Sequence, residues 1–327
     1  MLIFLVFSFL FGASIGSFLN VVILRLPKDE SLWRRNSHCF SCDKPIPWYH
    51  NIPIVSYLVL RGKCAMCGAP FSCQYFFVEL ITGVAFTLLC YFRFHGLLPF
   101  LPTEPIDYQV VLPAAVAYIR DVVLFSSLLA ITVVDARELI IPYEITLTTF
   151  ILGMIIVYAM PQVYPAPDRL TLTVELFLSA LAGGVLMWIV RIVGGFVFKR
   201  EALGLGDVHL MFMLAPFLNW PRILLTIFLA SIIGCVGGLT LKALSKGEKK
   251  VEIPFGPYLS LSAFIAFFWG QMIIGWYWGL FGAVIPKVIL CVEGIVVILL
   301  GTNIVSINMT NGVGYEEQSF CFGFYNL

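Results

Sequence analysis

Long apolar runs dominate the sequence and leave few folds open to it. Hydrophobic residues make up 60% of the 327 residues and charged residues 12%. Runs of about 18 or more apolar residues span a bilayer as helices, because all backbone hydrogen bonds are then made within the segment. We therefore predict an all-α polytopic membrane protein with about 8–9 transmembrane helices. The candidate runs are, approximately, Met1–Leu24, Gln74–Phe92, Leu112–Val134, Glu144–Met160, Leu172–Phe198, Val208–Asn219, Ile223–Leu244, Phe255–Trp278 and Leu280–Ile307.

The largest polar segment lies between the first two runs, from about Arg25 to Ser72. It is rich in Lys and Arg, so the positive-inside rule predicts that it is cytoplasmic. Threading the runs alternately puts most other basic residues on the same side and the N-terminus outside. On this topology Asp135, which ends one apolar run, and Asp207, which precedes another, both lie at the cytoplasmic face. The first run lacks a charged region before it and a cleavage site, which indicates a retained span.

Asp135 and Asp207 are the candidate reactive groups. A carboxylate at membrane depth is costly, so it normally faces a partner or a water-filled cavity. Two neighbouring carboxylates share one proton, which gives the acid and base of an aspartic protease. Gly204 and Gly206 precede Asp207, and we expect them to allow positive φ and close approach of an extended peptide. The alternative is that Asp207 is a first-turn acid on the positive end of a helix.

Four of the nine cysteines form two Cys-x-x-Cys pairs in the polar segment, Cys39 with Cys42 and Cys64 with Cys67. In a reducing compartment this spacing predicts a metal site and not a disulfide framework. Four thiolates close a tetrahedral zinc site with no open coordination position, so the ion would order the loop without taking part in chemistry. The alternative is four reduced, unligated thiols.

Several further stretches occur in a fixed order along the chain and complete the pattern. These stretches are Gly16-Ser17-Phe18-Leu19-Asn20-Val21-Val22, Arg25-Leu26-Pro27, Asn51-Ile52-Pro53, Arg61-Gly62-Lys63-Cys64, Val78-Glu79, Ile141-Pro142, Gly204-Leu205-Gly206-Asp207 and Pro254-Phe255-Gly256-Pro257. With them, the chain resembles the prepilin peptidases, the GxGD-type membrane aspartic proteases, from about Phe11 to Gly279.

The resemblance implies an endopeptidase that removes the basic leader of type IV prepilins and type II secretion pseudopilins after a glycine. Many members then methylate the new N-terminus with S-adenosylmethionine. By position, Asp135 and Asp207 are the catalytic pair, and the four paired cysteines hold structural zinc. The implied location is the bacterial inner (cytoplasmic) membrane, with the active site at the cytoplasmic face. The partners are prepilins and the lipid bilayer, and no nucleic acid is expected.

The expected organisation follows from these assignments. Residues 1–24 form the first transmembrane helix and residues 25–73 the cytoplasmic zinc-knuckle loop. Residues 74–279 form the membrane aspartic peptidase core. Residues 280–307 are a further transmembrane helix, and 308–327 a tail.

Two positions depart from the family pattern. His209 stands where the family usually has a lysine, and Tyr143 where it usually has an acidic or amide residue. These departures bear on pH dependence and substrate positioning. Three other polar residues, Asn20, Arg25 and Glu79, are candidates for the substrate or methyl-donor site, with helix-cap or loop contacts as the alternative for each.

Three alternative functions make different demands on Asp135, Asp207 and the residues near them. A non-catalytic, zinc-containing scaffold of pilus or secretion assembly would tolerate Asp135→Asn. A proton-coupled transporter would need further acids along a path through the membrane. A presenilin-like peptidase would have a tyrosine before the first aspartate, where this chain has Val134.

Overall fold

The computed structural model describes residues 1–32, 37–39, 41–95, 97, 108–164, 166, 168–199, 203–244 and 254–282. The chain divides into two compact units, Met1–Phe267 and Phe268–Leu327. The account below concerns the first unit, apart from the bounds of the last helix. Most of the expected span 280–307 and the whole tail 308–327 lie outside the described residues.

The described residues fold into helices, and apart from two isolated bridges they contain no extended strand. Short 3-10 turns follow the first helix and precede the second. The helices are α1 (Leu2–Arg25), α2 (Val55–Val59), α3 (Gln74–Phe94), α4 (Tyr108–Glu138), α5 (Tyr143–Ala159), α6 (Arg169–Ala180), α7 (Leu186–Phe198), α8 (Leu205–Met213), α9 (Trp220–Leu244) and α10 (Gly256–Gly282).

Six helical segments among the described residues are long and apolar enough to cross a membrane. The prediction of an all-α polytopic membrane protein is therefore confirmed. The number is below the predicted 8–9 because α5 has 17 residues and α8 has 9, against the roughly 20 that a span requires, and because the ninth predicted run, Leu280–Ile307, lies mostly outside the described residues. The six segments are Leu2–Lys28, Gln74–Phe94, Tyr108–Glu138, Arg169–Val197, Trp220–Thr240 and Gly256–Gly279.

The helices α1 and α3 pack with their backbones in close contact. A Cβ atom on Gly16 would lie 2.7 Å from the Cα of Glu79, and one on Gly12 would lie 2.8 Å from the Cβ of Phe86. Small residues allow this approach, which replaces side-chain packing by backbone contact. The Asn20 side chain also donates to the carbonyl of Tyr75 at 3.2 Å. These contacts fix which residues of α1 and α3 lie at the same level.

A buried ionic cluster joins α3 and α4 far along the bundle from Asp135. Arg93 Nε donates to one Asp121 oxygen at 2.6 Å, and Arg120 donates to the other through Nε at 3.2 Å and Nη2 at 3.1 Å. Arg120 Nη1 also donates to the carbonyl of Val163, beyond α5. Arg120 and Asp121 are both buried. Mutual bonding makes such charges tolerable inside the membrane.

The helices α6 and α7 form one continuous rod interrupted by a π-turn at Leu181–Val185. Any side chain at Gly184 would overlap the ring of Phe212 in α8. A Cβ on Gly183 would lie 3.1 Å from the carbonyl oxygen of Met211. Such π-turns often occur at functional sites. Here the turn lets the short helix α8 pack directly on the backbone of a long one, which holds α8 in place although it does not span the membrane.

Candidate active site and metal centre

Asp135 lies in the last turn of α4 and is buried. Its Oδ2 accepts a hydrogen bond at 2.8 Å from the backbone N–H of Gly256, the first residue of α10. A Cβ at position 256 would lie 2.7 Å from the same oxygen. The carboxylate is therefore held against the start of α10, and only glycine leaves it room there.

Asp207 is the third residue of α8 and is also buried. Burial and, to a smaller extent, the negative charge of Asp135 raise the pKa of its carboxyl group to about 7, although a hydrogen bond from the Gly204 backbone lowers it in part. The structure thus brings the two candidate carboxylates close enough for one to act electrostatically on the other. Near neutral pH such a pair carries one proton, which is the condition for paired acid and base chemistry.

The two glycines before Asp207 do not adopt the positive φ that glycine allows. Gly204 has φ −70° and ψ 154°, and Gly206 lies inside the helix. Among the described residues, the glycines with positive φ are Gly62 and Gly68. What Gly206 supplies is close approach, because a Cβ there would lie 2.7 Å from the Cβ of Ile141. The α8 start is thus packed on the turn after α4, which contains Ile141.

Tyr143 and His209, the two departures from the family pattern, lie next to each other. Their ring centroids are 5.2 Å apart with the planes at 67°, an edge-to-face arrangement. Tyr143 opens α5 and His209 follows Asp207 by two positions on α8. The two departures are therefore in contact with each other, two positions from Asp207.

The four paired cysteines converge on one point. Their sulfur atoms all lie within 4.8 Å of one another, and the Cys39 and Cys67 sulfurs are 3.8 Å apart. Four sulfurs at 2.3 Å from a tetrahedral zinc ion lie about 3.8 Å apart. Hydrogen bonds from the backbone N–H groups of Ser41 and Cys42 lower the pKa of the Cys39 thiol to about 6. Although a hydrogen bond from the Ala69 backbone lowers it, desolvation and the three neighbouring thiols raise the pKa of the Cys67 thiol to about 11. It is therefore the geometry of the four sulfurs that fits a metal ion.

Each cysteine pair sits in the same small turn. In the first, Cys39 N–H donates to Lys44 O at 3.0 Å and Asp43 N–H donates to Cys39 O at 2.8 Å. Asp43 has φ 54°. The matching bonds of the second turn are Cys64 N–H to Ala69 O at 2.8 Å and Gly68 N–H to Cys64 O at 2.9 Å. The segments 39–46 and 64–71 are thus a local structural repeat that our sequence analysis missed, although Cys-x-x-Cys-x-x-Pro occurs in both.

A cavity of about 460 Å³ lies between α1, α3 and the loop that carries the cysteines. Arg25 and Glu79, two of the polar candidates, line it together with Tyr57. The Oε2 of Glu79 accepts a 2.7 Å hydrogen bond from Ile54 N–H. Glu79 is buried. The third candidate, Asn20, instead bonds to the α3 backbone. The cavity is a second site, built by different elements from those that hold Asp135 and Asp207.

The Gly256 N–H was the contact least accessible to sequence reasoning. The stretch Pro254 to Pro257 stood out only through the family resemblance. A glycine at a helix start after a proline is nevertheless a local indication of a free N–H at that point.

Comparison with known proteins agrees with this geometry. Residues 10–94 match the model of the Bacterial Peptidase A24 N-terminal domain, and residues 122–239 match that of the Type IV leader peptidase family. No solved structure matches the chain significantly.

Several similar proteins carry the name prepilin leader peptidase/N-methyltransferase, among them the following three. The chain is 32% identical to that of Xanthomonas campestris (81% of this chain, 91% of the relative) and 31% identical to that of Pseudomonas aeruginosa (84% and 94%). It is 35% identical to that of Myxococcus xanthus, over 72% of this chain but only 63% of that relative. The two family models cover the helices that carry Arg25 and Glu79 and those that carry Asp135 and Asp207. The chain therefore belongs to the type IV leader peptidase family.

Proposed function

We propose that this protein is an aspartic endopeptidase that removes the leader peptide of prepilins and then methylates the new N-terminus. The observation that carries the peptidase assignment is the pair of buried carboxylates, in which the charge of Asp135 helps to raise the pKa of Asp207 to about 7. The names of the relatives support the substrate class and the second activity.

The mechanism we propose is direct attack by water. Asp135, ionised, takes a proton from the water molecule as its oxygen bonds to the scissile carbonyl carbon, while protonated Asp207 donates its proton to the carbonyl oxygen. The resulting diol then loses a proton to Asp207. Asp135 passes its proton to the departing nitrogen as the C–N bond breaks. Both carboxyl groups return to their starting states, so no covalent intermediate is needed.

We propose that the carboxylates lie at the cytoplasmic face of the bacterial inner membrane. Arg137, two positions after Asp135, donates to the Gln74 side chain at 2.7 Å. Gln74 is the first residue of α3, and Arg25 is the last residue of α1. The polar loop joins these two helix ends. This end of the helices is the basic one, which supports a cytoplasmic location. A prepilin that presents its basic leader on that side would bring the scissile bond to the carboxylates without drawing it into the hydrocarbon.

We propose that the four thiolates hold a structural zinc ion. A closed site of four thiolates has no coordination position for substrate. Its role is then to fix two turns of a loop that has little secondary structure of its own.

The cavity beside Glu79 is the site that we propose for the methyl donor, S-adenosylmethionine. Its volume of about 460 Å³ suits a ligand of that size. The buried Glu79 carboxylate matches the positive charge of a sulfonium or ammonium group, and Arg25 matches a carboxylate. Tyr57 and Tyr75 offer apolar ring surfaces to an adenine. When bound, the donor supplies the methyl group for the new N-terminus.

The test is cleavage of a purified prepilin by the protein in lipid nanodiscs, with mass spectrometry of the new N-terminus. We expect Asp135→Asn and Asp207→Asn each to reduce kcat/KM by at least about 100-fold, because each removes one partner of the proton transfers. Asp168→Asn is the matched control, since Asp168 is an exposed helix cap whose function asparagine retains. Full cleavage by either pair variant would refute the mechanism and favour a scaffold.

A further inference from the structure

The segment Ile52–Val59 of the polar loop lies deeper along the bundle than the helix ends it connects. Ile54 N–H bonds to Glu79, which follows the first residue of α3 by five positions, or about 7.5 Å along a helix. Glu79 packs on Gly16, which precedes the end of α1 by nine positions, or about 13 Å. The rings of Tyr57 and Phe76 also lie 5.5 Å apart. The loop therefore turns back beside the two membrane helices.

The polarity of this segment is the reverse of that of a water-exposed helix. Within the helix α2, the side that lines the cavity carries Ser56 and Tyr57, and the preceding Ile52 and Pro53 line it as well. The outward side carries Val55, Leu58 and Val59, with exposed fractions of 52%, 60% and 73%. The sequence has no charged residue from Asn51 to Leu60. A contiguous exposed apolar face of this kind indicates a surface that water does not cover.

The outward face is flanked by residues typical of a membrane interface. Trp48 and Tyr49 precede it and are exposed, and the exposed basic residues Arg61 and Lys63 follow it. Aromatic residues are enriched at headgroup level, and basic residues are attracted to anionic headgroups. Through Tyr57 the segment packs on Phe76 of α3, and the neighbouring Phe77 is an exposed apolar side chain of a candidate span. The segment is thus attached to a helix that itself exposes apolar side chains.

We propose that Ile52–Val59 re-enters the bilayer and is covered by lipid, in the leaflet that holds the C-terminal end of α1. The acyl region contacts Val55, Leu58 and Val59, while Arg61 and Lys63 lie among the headgroups. This is the arrangement of an interfacial amphipathic segment. On this proposal, part of the expected cytoplasmic loop 25–73 lies within the leaflet. The re-entrant segment also places one wall of the cavity at membrane depth. The cavity can then receive the end of a prepilin's hydrophobic helix while that helix stays in the bilayer.

The experiment places a photo-crosslinking p-benzoylphenylalanine at position 58 in the full chain, reconstituted in liposomes. Position 66 is the matched control, because Met66 is similarly exposed but lies within the second cysteine turn. After irradiation, mass spectrometry should find a phospholipid adduct at position 58 and none at 66. Absence of lipid adducts at 58, or adducts there only to protein, would overturn the proposal; the latter would identify a partner or a second copy on this face.

A second measurement does not depend on crosslinking. Leu58→Lys should lower the Tm in nanodiscs, because it brings a charge into the leaflet, whereas Met66→Lys should leave the Tm unchanged. Equal Tm values for Leu58→Lys and the unchanged protein would contradict a lipid-covered face. Neither variant touches Asp135 or Asp207, so prepilin cleavage is read separately from the membrane contact.

Discussion

At the scale of single residues, the protonation of Asp207 is the property most open to experiment. Its pKa is raised to about 7, so below that value the pair holds one proton and above it both carboxylates become ionised. We expect kcat/KM for cleavage to fall as pH rises through about 7, because the acid is then lost. A pH profile in nanodiscs measures this for the pair as a unit. A rate that stays constant from well below to well above pH 7 would exclude a protonated Asp207.

Substitution by alanine should affect cleavage differently at the two glycines beside Asp207. Gly206→Ala should reduce kcat/KM on the order of 10- to 100-fold, because its Cβ would meet the Ile141 Cβ at 2.7 Å and shift the start of α8. Gly204→Ala should have a smaller effect, since its nearest contact, Asp207 Oδ2, is at 3.5 Å. Kinetics of both variants, with circular dichroism to verify folding, provide the comparison. A larger loss for Gly204→Ala would contradict this packing argument.

The Tyr143 and His209 contact predicts coupling between two positions. The edge-to-face pair should contribute about 0.5–1.5 kcal/mol beyond the separate effects of the two rings. A double-mutant cycle of Tyr143→Ala, His209→Ala and the double variant measures this from thermal unfolding. If the effects of the two single variants simply add, the rings do not support each other and the two departures are independent.

At the scale of elements, the cysteine turns show how a loop of little regular structure is ordered. We expect about one zinc ion per chain, and Cys64→Ser should lower both metal content and Tm because a closed site requires all four thiolates. Elemental analysis and thermal unfolding of freshly reduced protein measure the two quantities. Cys73→Ser, at an exposed cysteine outside the cluster, is the control. Metal-free protein with an unchanged Tm would show that the thiols have no structural role.

The short helix α8 shows why hydropathy alone can predict a transmembrane span where there is none. The run Val208–Asn219 is apolar, but α8 ends at Met213 and the following residues, including Leu214 and Leu218, are buried in protein. Their hydrophobicity serves packing and not lipid contact. Composition alone does not separate these two environments.

At the scale of the whole molecule, the sequence predicted the membrane class, the convergence of the four thiols and the two carboxylates that the structure brings together. The membrane class follows from the length of the apolar runs, and the metal site follows from the spacing of the cysteine pairs. The Gly256 N–H, the π-turn beside Phe212 and the return of Val55–Val59 towards the membrane depend on contacts between distant segments. Gly204 and Gly206 do not use the positive φ that glycine allows, because close approach alone also selects glycine.

The ionic cluster of Arg93, Arg120 and Asp121 has a consequence for how the protein enters the membrane during synthesis. Presented alone to the insertion machinery, α4 carries Arg120 and Asp121 bonded only to each other, and a charged side chain costs up to about 2.5–3.5 kcal/mol where it lies at the centre of a membrane helix. Arg93 on the preceding helix supplies the bond that Asp121 makes in the folded protein. The energetically favoured unit of insertion is therefore the α3–α4 hairpin, with its charges already paired.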